Sequence, residues 1–155
     1  MNEQRSEKLR QLQFKNRLSE KRARLLESLP AALTAQRDTI RFLDDVESMK
    51  ASYAHRDAIK HAPEENFERL ADVLDRIRRA FSGYEGAVLI GHRTADETGT
   101  MIITSALFHT ALESLILWGH GSLFAANVSH SRCVALVDQE GPPLHNFYIQ
   151  VVGPG

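Results

Sequence analysis

Apolar residues recur at three- and four-residue intervals through the first half of the chain and gather into short unbroken runs in the second. The clearest helical rhythm is Phe67, Leu70, Leu74, Ile77, Phe81 and Tyr84. Its opposite face sets Glu65 with Arg69, Asp72 with Arg76 and Asp75 with Arg79, one turn apart, as on a solvated surface. Pro63 predicts where this helix starts, because proline is tolerated in a first turn, and Glu64 and Glu65 suit the positive end of the helix dipole. Upstream, Thr39, Phe42, Val46, Met49 and Tyr53, widened by Ile40 and Leu43, predict a helix over residues 30–60. A helix over 3–28 precedes it, stopped by Pro30. Phe14, Leu18, Leu25 and Leu29 share one narrow face of that first helix, interrupted by Gln11 and Arg22, while Leu9, Leu12 and Leu26 fall off it. So thin a face suits contact with a partner helix better than deep burial.

Gly83 and Gly86 mark a change of pattern. Residues 86–92 read as a buried strand by their apolar run, and 92–99 as a polar loop. Met101 to Thr104 is ambiguous, and is assigned to the start of a helix reaching Trp118 and stopped by Gly119 and Gly121. Residues 123–129, 132–138 and 145–152 read as strands, the last alternating Phe147, Ile149 and Val151 with polar partners. The predicted class is therefore α+β. Long amphipathic helices, as a hairpin or bundle over 1–82, are followed over 83–155 by a small, mostly antiparallel sheet packed against one apolar helix.

Composition sharpens that division. All nine glycines follow Phe81, while seventeen of the nineteen Lys and Arg residues precede it. Residues 1–80 carry a net charge of +3 and residues 81–155 a net of −4, so each half can favour the other half of a neighbouring copy. The overall charge of −1 gives no global bias toward nucleic acid. No apolar run approaches a membrane span, and the charged first thirty residues lack a signal-peptide core. A single cysteine, Cys133, fits a reducing compartment. The expected setting is the cytoplasm, with no membrane contact.

Candidate chemistry is sparse. Arg10, Arg17 and Arg24 recur every seven residues with Lys21 beside them, a row that can track a phosphate backbone or simply flank a coiled coil. His92, Arg93, Asp96, Glu97 and three threonines crowd the loop after the first strand of the back half, where catalytic groups collect in many enzymes. His109 and Glu113 stand one turn apart on the polar arc of the apolar helix, a spacing that can orient a histidine for acid–base work. A site built on His92, His109 and Glu113, with Arg93 holding an anion, is the enzymatic expectation. His130 and Cys133 have a metal-like spacing, but no second tight pair completes a zinc signature, so neither metal nor cofactor is expected. The leading expectation is a non-catalytic assembly or adaptor protein, self-associating or binding a partner through Phe14, Leu18, Leu25 and Leu29. A small hydrolase and a nucleic-acid-binding regulator using the basic row are the alternatives.

Overall fold

A computed structural model describes residues 2–92, 95–138 and 146–154. The elements run α1 (Asn2–Ser28), α2 (Ala31–Thr34), a 3₁₀ turn (Arg37–Thr39), β1 (Arg41–Phe42), α3 (Asp45–Ile59), β2 (Glu64–Phe67) and α4 (Leu70–Ala80). They continue as β3 (Ala87–Gly91), α5 (Ala95–Thr98), β4 (Met101–Thr104), α6 (Ser105–Trp118), β5 (Leu123–Asn127), β6 (Cys133–Asp138) and β7 (Phe147–Val152). The seven strands form one antiparallel sheet in the order β1-β4-β3-β5-β6-β7-β2. The class is α+β, with a long N-terminal helix.

Alternation along the strands sorts the sheet into two faces. Val88 and Ile90, Met101 and Ile103, Val134 and Leu136, and Phe147 and Ile149 turn to one side and join a core with Leu33, Ile77, Phe108, Leu112 and Ile116. Helices α2, α4 and α6 supply the cover there. The stripe read as Leu70, Leu74, Ile77 and Phe81 is the one α4 presents to this core. Leu89, Phe124, Ala126, Ala135, Val137 and Tyr148 occupy the other side, over which α3 lies; its Ile59 meets Ala126 and Cys133.

Three expected elements are different. The helix over 30–60 breaks into α2, a turn, β1 and α3. Ile40, 4% exposed, and Phe42 are drawn to the core, Phe42 pairing with Met101 across β4. Asp44 restarts the helix by accepting the Glu47 amide at 2.7 Å. Its stripe of Val46, Met49 and Tyr53 is consequently exposed. The helix expected from Pro63 begins at Leu70, because residues 64–67 pair with β7 as an edge strand, a position that tolerates a preceding proline. Arg76 accordingly meets Glu65 across to β2, at 3.1 Å, rather than Asp72 along its own helix. Met101 to Thr104 is a strand, and Thr104 caps α6 by accepting the Leu107 amide. The expected boundary at residue 82 does not separate two cores: β1 and β2 are the two sheet edges, and Leu29, Leu33, Val73 and Ile77 share one cluster with the back half.

Candidate functional site

Helix α1 is a projecting arm with an anchored base. Residues 2–17 are exposed throughout, and Leu9, Leu12 and Phe14 remain 56%, 56% and 62% exposed. Anchorage starts around Leu18, which is half-buried. Arg22 then pins the helix to two loops: its Nε donates to the Thr98 carbonyl at 2.7 Å, its Nη2 to the Leu43 carbonyl at 3.2 Å, and its guanidinium lies 5.0 Å from the centre of the Phe42 ring. A planar, multi-donor cation suits this bridging position. Of the four interface residues expected from the sequence, Phe14 and Leu18 keep surface to offer. Leu25 and Leu29 are buried against their own chain, so they anchor the arm instead of meeting a second molecule. Leu9 and Leu12, off the expected stripe, are exposed on the arm together with Phe14.

The basic row is divided in the same way. Arg17 and Arg24 are exposed, Arg10 lies 3.9 Å from Glu7 on its own helix, and Lys21 turns back to Glu97 at 3.8 Å. Exposed pairs of this kind contribute little stability. Lys21 nevertheless faces the body, so the row is not continuous.

The expected catalytic set does not converge. His92 Nε2 donates to the Gly99 carbonyl at 3.1 Å and lies 3.3 Å from Thr98 Oγ1, its ring 5.9 Å from that of Trp118 at the end of α6. His109 is nine residues before Trp118, about 13 Å along the axis and on the opposite side of the helix. Glu113 is exposed, and no ion pair within 4.0 Å joins it to His109 among the described residues. Arg93 and His145 lie outside those residues. The polar loop is a structural joint: Thr98 and Thr100 are buried, the Thr100 amide donates to Ser48 Oγ at 2.8 Å, and the Leu43 amide donates to the Thr100 carbonyl.

Among the described residues a larger concavity lies on the α3 side of the sheet, with His92 at its margin. A groove of about 830 Å³ runs between α3 and the open sheet face, a volume typical of ligand and partner sites. Met49, Tyr53 and Arg56 form its wall, the guanidinium of Arg56 lying 5.8 Å from the Tyr53 ring centre. Phe124, Val137 and Tyr148 form its floor. His55 joins wall to floor. Its Nε2 donates to the Val134 carbonyl at 2.9 Å, and its ring meets Phe124 edge-on at 6.0 Å. Burial holds its pKa below the ordinary imidazole value and the His130 charge adds to that, while the Val134 and Ala125 carbonyls oppose it. A smaller cavity of about 440 Å³ beside Leu25, Trp118 and His120 shares His92 and Phe124 with the groove.

Cys133 faces the α3 side, fully buried, with its thiol pushed up to about 11 by burial and donating to the His130 carbonyl at 3.4 Å. A neutral buried thiol is a poor metal ligand, and its spacing from His130 serves the β5–β6 turn. Among the described residues no group of three or more His, Cys, Asp or Glu side chains is placed to hold a metal ion, and no helix is long and apolar enough to cross a membrane. The groove offers aromatic and aliphatic surface with a few charges at its margin, an arrangement suited to recognition. A scan against family models finds no match, and neither do comparisons with curated proteins and solved structures.

Proposed function

We propose that the protein is a non-catalytic assembly or adaptor protein that self-associates through α1, acting in the reducing cytoplasm. One observation carries this reading: residues 2–17 continue the helix well beyond the body while exposing Leu9, Leu12 and Phe14. Isolated helices shorter than about 12–15 residues are marginal in water, and most helical stability in proteins comes from packing of an apolar face, which residues 2–17 lack within their own chain. Covering large apolar side chains contributes roughly 1.5–3 kcal/mol each when burial is complete. A second chain supplies both cover and support. The enzymatic alternative loses its footing with the separation of His92 from His109, and the nucleic-acid alternative loses Lys21 from its row.

Light scattering coupled to size exclusion tests the reading. The intact protein is expected to run as a dimer or larger at tens of micromolar, and a variant lacking residues 2–17 as a folded monomer. An intact protein that stays monomeric across that range overturns it.

A further inference from the structure

The sheet face beneath α3 is short of cover. Seven strands spaced about 4.8 Å span roughly 30 Å, and a helix about 10 Å across covers only part of that width. Phe124 and Val137 on the floor remain 41% and 36% exposed. On the wall, α3 turns Met49 and Tyr53 outward at 59% and 57% exposure, and Val46, one turn before Met49, is 54% exposed. Three turns of helix occupy roughly 1,300 Å³. The groove of about 830 Å³ therefore seats one face of a helix, leaving the other in solvent.

The arm matches this seat in shape and sign. On the helical wheel Arg5, Lys8, Leu9 and Leu12 fall within about 100° of one another, a face with two apolar groups, two cations and no carboxylate. Residues 2–17 hold five cations and two carboxylates, a net of +3, so in a chain of net −1 the remainder carries −4. The groove is weakly acidic: Asp45 from α3 and Glu64 from β2 line it against the one lining cation Arg56, and Asp44 and Glu47 stand beside it at the start of α3. Pairing α1 with another α1 sets +3 against +3, whereas the groove's charged lining of Asp45, Glu64 and Arg56 sums to −1, the opposite sign to the arm.

We propose that the arm of one copy lies in the α3 groove of a second copy and receives that copy's arm in return, closing a two-fold dimer. Such reciprocal exchange uses both surfaces once and leaves neither open to further growth. The proposal rests on self-association through α1 and adds the surface that receives it.

Site-directed cross-linking separates the two. A Leu12→Cys copy and a differently tagged Met49→Cys copy are mixed and treated with a short bis-maleimide, keeping the buried Cys133. Cross-linked heterodimer is expected at least tenfold above the yield of either variant alone. A Phe14→Cys copy that links to itself while the Leu12–Met49 pair does not overturns the groove as receptor, although self-association stands. A wild-type protein that is monomeric by light scattering overturns both. A charge exchange gives an independent readout. Arg5→Glu with Lys8→Glu, and separately Asp45→Lys with Glu64→Lys, are each expected to weaken the dimer at least tenfold, both folded by circular dichroism. Mixing the two variants is expected to restore dimer; no recovery counts against the docking.

Discussion

His55 is the side chain whose surroundings most clearly set its chemistry. It spans from α3 to the Val134 carbonyl, and burial favours the neutral imidazole in the folded state. Its folded pKa lies below the unfolded value of about 6.5. Between those two values the unfolded chain binds more protons, so the stability it contributes is complete above about pH 6.5 and is lost as pH falls toward the folded pKa. Melting temperature is expected to drop between pH 7.5 and 5.5, and His55→Gln to flatten that slope, as followed by circular dichroism at both pH values. An unchanged slope in the variant assigns the drop to other groups. Nothing in the pattern around Tyr53, His55 and Arg56 distinguishes this histidine from the other six. Its partner is a carbonyl 79 positions away, brought close only by the packing of α3 on β6. His92, by contrast, was legible as a strand-end residue, yet its role in tying down a turn was not.

At the scale of elements, boundaries depended on where the sheet needed strands. The repeat from Thr39 to Tyr53 suits a helix locally, but Phe42 gains more from the ladder with Met101 and from the core than it would on a helix surface. The joint between α5 and β4 shows the same tertiary control. Gly99 adopts φ +90°, and a Cβ there would collide with the Leu43 carbonyl and approach Arg22 Nη2 at 3.3 Å. Gly99→Ala is therefore expected to destabilise the fold by at least about 1 kcal/mol, combining backbone strain with a backbone clash. Urea unfolding would register this as a lower midpoint at unchanged slope. An unaltered midpoint would show that the α1 base and the β1–α3 loop can separate freely.

Across the whole molecule, the arm and the body divide the work. Residues 2–17 bury little in their own chain, so removing them is expected to shift the monomer's melting temperature by no more than a degree or two while abolishing assembly. A large loss of stability measured at a concentration where the intact chain is also monomeric would mean the arm folds back on its own body. Local physics in the amino-acid order determined much of this protein. The α+β class, the apolar face of α4, the buried strand before His92, the length of α1 and the opposite charges of front and back all follow from residue type at short range. Tertiary structure alone decided that β1 and β2 close the two edges of the sheet, that Leu25 and Leu29 turn inward while Leu9 and Leu12 stay out, and that the Met49–Tyr53 stripe faces an open groove. Each of these turns on contacts between distant segments. Periodicity states which residues share a face; what that face meets is settled only when the rest of the chain has taken its place.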